Sequence, residues 1–448
     1  MTSCPYATFQ QPEPHPDPFA LYARLREEHG PVIPVELEPG VRGWILTDYE
    51  LIISWSRDTA TFKHDSRNWK DFTEGRVDPA SRLTAMMAPR PSALFTDGAE
   101  HQRYRGAIVD SLSGIREEDL CTITRRYADG LIDRFCERGE ADLLADYARI
   151  LPILVLNGLF GFDEDQGLRF ASSMRNVWAG VDVKRSLAET QRALSEVVAA
   201  RHREPADDVT SRLIAHPSAL TDEEVVMQVR IIVTASVQTT ADLIASACRL
   251  ALSSPESFVG RTFSDAALGE LVDRVLWESP PITNYPALYP RRDVPLGGGR
   301  TIEAGTPVLL GFAAANHFYR RENAERLDGV PNRAHLAWGV GPHRCPARGE
   351  AIAMASVALR TLLDRLPELR LAVPPEQLRW VIKNMACTPV SLPVRFTPQA
   401  PLAPLAGQEA EAAPPESGRA GDGRGSVLLK RLSPGILARF LGRLLRSQ

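Results

Sequence analysis

Apolar residues recur along most of the chain with the spacing of an α-helix. From about residue 99 to residue 260, segments such as DLCTITRRYADGLIDRFCERG carry apolar residues at i, i+3, i+4 and i+7 and end at glycine. The segment RGEAIAMASVALRTLLDRL has the same spacing, and DPFALYARLREEHG predicts a shorter helix near the N-terminus. These patterns predict a mainly helical fold.

The longest predicted helix begins after Thr221 and continues for about 30 residues to Leu252. Thr221 and Glu224 have the spacing of a capping box, in which each side chain accepts a hydrogen bond from the backbone of the other residue. The middle of this segment, IIVTASVQTTADLIASA, is apolar on nearly every side. Such a helix is typical of the buried centre of a large helical domain.

Strand-like stretches are few and most of them lie close together. VRGWIL precedes a predicted helix, and DVPLGGGRTI, TPVLLGF and PVSLPVRF all follow the long helix. Apart from the short helix, the proline-rich first 40 residues predict loop. The fold class is therefore predicted to be mainly α with a small β part.

The composition of the chain changes after residue 397. Residues 398–424 are rich in Pro, Ala and Gly, which predicts a disordered linker after a domain that spans 1–397. The last segment, 425–448, is expected to form a basic amphipathic C-terminal helix with one apolar face, made of Ile436, Leu437, Phe440, Leu441, Leu444 and Leu445. Three interpretations of this segment stay open, namely peripheral contact with an anionic membrane, docking in a groove of a protein partner, and a frayed tail.

Overall composition excludes several classes of protein. With 448 residues, of which 44% are hydrophobic, the chain can bury a large core, and a net charge of -4 predicts no nucleic-acid binding. The six cysteines form no C-x-x-C pair, which argues against a disulfide framework and a zinc ribbon. The sequence contains no signal peptide pattern and no apolar run as long as a membrane span. We therefore expect a cytoplasmic protein.

One short stretch indicates metal chemistry. Gly339, Gly341, His343 and Cys345 form the pattern G-x-G-x-H-x-C just before a predicted helix. Glycines allow a tight loop that aims backbone N–H groups at a sulfur, and a helix N-terminus lowers the pKa of a nearby thiol. Cys345 is therefore a candidate metal ligand, with a buried structural cysteine as the alternative.

The stretch HLAWGVGPHRCPARGEAIA resembles the haem-thiolate loop of the cytochrome P450 family, in its bacterial soluble type, and the similarity extends from roughly residue 15 to residue 397. It implies the cytochrome P450 fold, with haem b held between the long central helix and the Cys-ligand loop. It also implies that Cys345 is the axial ligand of the iron. A thiolate ligand donates electron density to the iron and so favours O–O cleavage. Trp338 stands where the family has an aromatic residue near the thiolate, although ordinary core packing explains it equally well.

The same resemblance assigns residues to the haem propionates and to oxygen. His101 and Arg105, four residues apart on one helical face, match the pair that holds the propionates, and His343 matches a third partner. Without the resemblance, the pair would be interpreted as a solvated helix face. Thr239 matches the threonine that hydrogen-bonds to bound oxygen, or else bonds back to a carbonyl one turn earlier. Gln238 replaces the usual acid and cannot deliver a net proton.

The sequence departs from the family at a buried ion pair. Arg274 and Trp277 stand where the family has Glu-x-x-Arg, as in an actinobacterial subgroup that lacks this pair. Because both charges are lost, no lone buried charge remains, and we expect Trp277 to fill the space by packing.

Two further departures concern the haem itself. The propionate-binding arginine that precedes the D-V-x-L-G-G strand falls at Leu288, unless Arg291 or Arg292 substitutes for it. Ala347 replaces the glycine that usually follows the cysteine by two residues.

The resemblance implies a haem-thiolate monooxygenase that activates dioxygen to oxidise a small apolar substrate, with electrons from a ferredoxin-type partner. The partner is expected to dock near Arg344 and Arg348, and the pocket to be lined by residues 231–239 and 282–288. The alternative, favoured by the lost motifs, is a haem-binding protein with little or no turnover. Such a protein would act as a sensor or scaffold at a membrane-associated complex.

Overall fold

The computed structural model describes residues 7–8, 11–15, 19–79, 81–179, 181–253, 265–327, 332–382 and 387–402. Most of the predicted linker and all of the predicted C-terminal helix lie outside the described residues. The division into a domain, a linker and a basic helix therefore stays a prediction.

Helices dominate the described part of the chain, as the apolar spacing predicts. They span Ala20–His29, Tyr49–Arg57, Lys70–Thr73, Arg82–Met87, Gly98–Ser113, Glu117–Ile132, Leu151–Phe160, Glu164–Ala179, Val183–Arg203, Val209–Ala215, Asp222–Ser253, Asp265–Glu278, Phe312–Glu322, Ala324–Leu327 and Arg348–Arg365. The first and the last of these are the helices predicted from DPFALYARLREEHG and RGEAIAMASVALRTLLDRL.

The central helix, Asp222–Ser253, is 32 residues long. The predicted capping box is confirmed, because the Thr221 N–H donates to Glu224 Oε2 at 2.8 Å and the Glu224 N–H donates to Thr221 Oγ1 at 3.3 Å. This helix is long and apolar enough to cross a membrane, yet 61% of its most apolar window is buried inside the protein. The helices Leu151–Phe160, Val183–Arg203, Asp265–Glu278 and Arg348–Arg365 pack around it, so its apolar surface forms the core of the helical part.

The β part consists of short strands, and the largest sheet of the described residues has six. Its order is Ala7–Thr8, Val32–Glu38, Val41–Leu46, Val308–Leu310, Tyr285–Pro290 and Phe62–Lys63. Smaller sheets are formed by Arg370–Leu371 with Pro393–Arg395 and Glu140–Asp142, by Cys387–Pro389 with Trp380–Ile382 and Gln11–His15, and by Val294–Gly297 with Arg300–Ile302. The prediction of a small, clustered β part is confirmed.

The prediction of loop near the N-terminus is wrong for three segments, because Ala7–Thr8, Gln11–His15 and Val32–Glu38 are strands. Gln11–His15 pairs antiparallel with Trp380–Ile382 and forms the edge of its sheet. An edge strand tolerates proline, because its outward N–H groups need no partner in the sheet. Local proline content therefore could not exclude this strand.

Two contacts between distant segments position the candidate site. The strand Phe62–Lys63 pairs antiparallel with Tyr285–Pro290, which brings the following residue, His64, beside the second strand. The helix Tyr49–Arg57 packs against the turn Gly341–His343, immediately before Cys345. Segments that are almost 300 residues apart in sequence thereby meet around the cysteine loop.

Candidate haem site

The loop before Cys345 is formed by two short 3-10 turns, Leu336–Trp338 and Gly341–His343. Gly339 and Gly341 have positive φ angles of 69° and 72°, which side chains rarely adopt. A Cβ atom at Gly341 would also lie 2.6 Å from the Ser56 carbonyl oxygen. The Cys345 N–H donates to the Trp338 carbonyl at 2.8 Å and closes the loop. The predicted need for glycine is confirmed at both positions.

The Cys345 sulfur lies near the start of the helix Arg348–Arg365 and accepts a hydrogen bond from the Ala347 N–H. Burial raises the pKa of the Cys345 thiol, and this outweighs the lowering by the Ala347 N–H and by the Arg105 and Arg344 charges. Burial therefore outweighs the lowering of the thiol pKa that was expected from the start of the helix. Ala347 has an ordinary φ of -103°, so the position needs no glycine.

His101 and Arg105 lie on the helix Gly98–Ser113, as predicted. The His101 side chain is buried, and its Nε2 atom has no hydrogen-bond partner. Arg105 is half-buried and pairs with no carboxylate among the described residues. Burial lowers the pKa of Arg105, while Cys345 and Tyr285 raise it, which places the guanidinium within electrostatic reach of the cysteine.

His343 lies between two other imidazole rings. The centroid of its ring is 4.0 Å from that of His64 and 4.1 Å from that of His101. We call His64, His343 and His101 the histidine stack. His343 Nε2 lies 3.3 Å from Asp97 Oδ1, and the Asp65 N–H donates to Asp97 Oδ2 at 2.9 Å.

The pKa values of this cluster follow from burial and from mutual charge. Burial raises the pKa of Asp97, but hydrogen bonds from His343 and the Asp65 N–H prevail and set it at about 2. Burial, His343 and Arg105 lower the pKa of His101 to about 4. At neutral pH the site therefore holds one ionised carboxylate, Asp97, and a neutral imidazole at His101.

These groups fit a porphyrin with two carboxylates. The unpartnered His101 Nε2 and the Arg105 guanidinium are donors that lack an acceptor, as a haem carboxylate would provide. Within the described ranges, no group of three or more His, Cys, Asp or Glu residues is arranged to hold a metal ion. A bound iron would therefore depend on a single thiolate together with the porphyrin.

Trp338 and the central helix complete the surroundings. Trp338 is partly buried against the main core, and its indole N–H is buried without a partner. On the central helix, Thr239 Oγ1 donates to the Ala235 carbonyl at 2.6 Å, which is the alternative that the sequence leaves open. Ala235 itself is exposed, although it lies in the middle of a largely buried helix. The helix therefore faces an opening at this turn.

Gln238 has a partner that the sequence reasoning missed. Its Nε2 atom donates to Asp242 Oδ1 at 2.8 Å, and Asp242 is only 2% exposed. The spacing of four residues on one helix is the signal that could have indicated this contact.

Trp277 replaces the lost ion pair by packing, as predicted, and by a hydrogen bond that the sequence did not predict. Its indole Nε1 donates to the Asn332 carbonyl at 2.7 Å. Its ring lies 6.4 Å from Tyr49, 6.4 Å from Tyr319 and 6.0 Å from His335. Arg274 pairs instead with Glu278 at 2.9 Å on the surface.

The described part of the structure offers no contact in favour of the proposed substitutes for the missing arginine. Leu288 is buried in the strand Tyr285–Pro290. Arg291 and Arg292 are exposed, and Arg292 donates to Thr61 Oγ1 at 3.1 Å.

Sequence reasoning also missed His64, Asp97 and Tyr285. Asp97 stands four residues before His101, which is a detectable spacing. Tyr285 begins one strand and His64 directly follows its partner strand, so the two meet only in the fold, and no local pattern marks either of them.

Comparison with known proteins agrees with this geometry, although no family model matches the chain. The chain is 31% identical over 399 residues to nocardicin C N-oxygenase from Nocardia uniformis subsp. tsuyamanensis, covering 86% of this chain and 98% of that protein. It is 29% identical over 388 residues to cytochrome P450 107B1 from Saccharopolyspora erythraea, covering 84% of this chain and 94% of that protein. The solved structure of CYP154A1 from Streptomyces coelicolor A3(2) superposes with a TM-score of 0.75 at 28% identity, covering 87% of this chain and 100% of that one. The chain therefore belongs to the cytochrome P450 family, and it is an oxidoreductase of the monooxygenase class with haem b as its cofactor.

Proposed function

We propose that this chain is a haem-thiolate monooxygenase in which Cys345 binds the haem iron and a small apolar substrate is oxidised by dioxygen. The observation that carries the proposal is the geometry of the cysteine loop. Its sulfur accepts a hydrogen bond from the Ala347 N–H near the start of a long helix, and Trp338, in the loop itself, packs against the main core. Haem bound through a thiolate supplies the chemistry of O–O cleavage.

His101, Arg105 and His343 would hold the haem carboxylates. His101 and Arg105 are donors that have no acceptor in the described part of the protein. Asp97 orients the His343 ring, since its carboxylate lies 3.3 Å from Nε2. Trp338 would pack near the thiolate and keep water from the sulfur.

Thr239 and Gln238 would act on the opposite side of the haem. The Thr239 hydroxyl donates its proton to the Ala235 carbonyl, and rotation about χ1 would redirect that proton to the open face beside Ala235. Asp242 holds the Gln238 amide nitrogen, which leaves the amide oxygen to accept a hydrogen bond from water. Gln238 can thus position a water but cannot release a proton of its own.

Electrons would come from a ferredoxin-type partner that docks near the cysteine loop. Arg344 is exposed, Arg348 is partly exposed, and neither forms an ion pair with a described residue. Two arginine side chains without an ion-pair partner among the described residues, close to Cys345 in sequence, suit a partner with an acidic surface.

One observation favours a second function, namely haem binding with little or no turnover. Gln238 stands where the family usually has an acid and is bonded to Asp242, and the Thr239 hydroxyl is hydrogen-bonded to the backbone of its own helix. Both features would slow the delivery of protons to oxygen. The chain would then act as a sensor or scaffold.

Spectroscopy and turnover together test the proposal. Reduction of the purified full chain under carbon monoxide should give the red-shifted Soret band of thiolate-bound haem. Cys345→Ser should abolish that shift, whereas Cys121→Ser, at another partly buried cysteine, should keep it. An unshifted band in the unaltered chain would contradict the ligand assignment. A shifted band without product formation, when a ferredoxin, its reductase and NADPH are supplied with a broad substrate panel, would support the second function.

A further inference from the structure

The structure leaves one haem carboxylate without the arginine that the family places at position 288. Leu288 is apolar and 1% exposed, and Arg291 and Arg292 are exposed on the surface. Another donor on the same face of the strand could replace the missing side chain.

The register of two paired strands, continued by one residue, places His64 opposite Leu288. The antiparallel pairing ends with Lys63 opposite Tyr289, and His64 follows the strand directly. Opposed residues of an antiparallel pair project their side chains from the same face and lie about 5 Å apart. His64 therefore stands on the face from which an arginine at position 288 would project.

Contacts on several sides fix the orientation of the His64 ring. Its centroid is 4.0 Å from that of His343 and 5.9 Å, edge to face, from that of Tyr285. One ring nitrogen donates to the Ala287 carbonyl. The side chain is 7% exposed, and no carboxylate pairs with it among the described residues. A buried imidazole with one nitrogen already bonded has its second nitrogen left for another partner.

The hydrogen-bond donors and the one cation around His64 favour an acidic ligand. His343 and His101 complete the histidine stack, and Arg105 adds a permanent positive charge beside His101. Among the described residues, Asp97 is the one carboxylate that faces the stack, and it already bonds His343 and the Asp65 N–H. A carboxylate on the occupant would therefore supply the acceptor that the remaining donors lack.

We propose that His64 is a haem-carboxylate ligand of this chain and replaces the arginine missing at position 288. This inference rests on the proposed binding of haem at Cys345. The imidazole is shorter than an arginine side chain, but it starts from the neighbouring strand and is held against His343. His64 thus binds and positions the cofactor and takes no part in oxidation.

Haem release from the purified holoprotein tests the proposal. Transfer of haem to an excess of a haem-binding apoprotein should be about tenfold faster for His64→Phe, because one buried hydrogen bond to a charged group is lost. His64→Asn, which keeps a donor, should release haem more slowly than His64→Phe. His202→Phe, at an exposed histidine paired with Asp222, should release haem at the rate of the unaltered chain.

A packing role for His64 predicts the opposite order. Phenylalanine would then retain haem and asparagine would lose it, and this order would overturn the proposal. In the His64→Phe background, Leu288→Arg should restore slow release. If the unaltered holoprotein shows the thiolate carbonyl band and His64→Phe releases haem at the same rate, only the role of His64 fails. If the unaltered chain never shows that band, the proposed function fails first.

Discussion

The indole N–H of Trp277 is hydrogen-bonded to the backbone carbonyl of Asn332 at 2.7 Å, and this contact ties the helix Asp265–Glu278 to the segment that leads into the cysteine loop. The stacked rings of Tyr49 and Tyr319 support it from the side. A neutral aromatic contact therefore occupies the place where the family has a buried ion pair.

Trp277→Phe should lower the free energy of unfolding by about 1–3 kcal/mol, since the Asn332 carbonyl loses a buried donor while ring packing is retained. Urea denaturation measures the loss. Trp55→Phe is the matched control, because that indole stacks on Phe62 at 4.5 Å and has no hydrogen-bond partner among the described residues. Equal losses for both variants would show that the N–H contributes nothing.

Gln238→Glu should not restore a normal family site, because the new carboxylate would face Asp242 across the present 2.8 Å contact. Two adjacent carboxylates raise the pKa of one of them in the folded state. The variant should therefore lose stability relative to the original chain as pH rises from about 4 to about 7. Urea unfolding at several pH values measures this trend, and the added change Asp242→Asn should remove it.

Gly341→Ala should destabilise the protein by about 2 kcal/mol or more, because it combines a positive φ with a Cβ only 2.6 Å from the Ser56 oxygen. Gly349→Ala is the control. It lies within the helix Arg348–Arg365 with no atom within 4 Å of the new Cβ, so it should stabilise by about 0.5–1 kcal/mol. Thermal unfolding of both variants measures the contrast, and a stable Gly341→Ala protein would contradict the described loop.

The haem-free protein should lose stability as pH falls from about 6.5 to about 4. Burial and neighbouring charges lower the pKa of His101 to about 4, and burial lowers the pKa of His335 to about 4. The unfolded chain binds protons at these histidines first, so the folded state is favoured at higher pH. Urea unfolding between pH 7 and pH 4.5 should show this slope, and His101→Asn should reduce it. An unchanged slope in His101→Asn would exclude a contribution from this residue.

Vesicles test the interpretation that the basic segment predicted over 425–448 contacts an anionic membrane. The full chain should float with vesicles rich in anionic lipid, and replacement of Leu437, Leu441 and Leu444 by Asp should abolish flotation by removing the apolar face. Neutral vesicles should bind the full chain weakly. If the full chain fails to bind anionic vesicles, docking on a protein and a frayed tail remain as the interpretations of this segment.

Features that depend on residues a few positions apart were predictable from the sequence. The capping box at Thr221 and Glu224 and the glycines before Cys345 fall in this class, because each depends on residues a few positions apart. The resemblance likewise located His101, Arg105 and His343, which the fold brings together. What these residues do toward haem stays a prediction.

Features that depend on the fold were not predictable. His64 meets His343 only because two strands pair across more than 200 residues. The bond from Trp277 to Asn332 depends on the angle at which a helix meets a loop. The burial that raises the pKa of the Cys345 thiol was likewise not predictable, because the spacing of residues does not reveal how deeply a loop is buried.

The close approach of Gly341 to the Ser56 carbonyl has a mechanical consequence. Main chain meets main chain there, so no side-chain rotation can absorb a displacement of the helix Tyr49–Arg57. That helix and the turn before the sulfur must shift as one piece. A displacement of this helix would therefore also displace the turn that precedes Cys345.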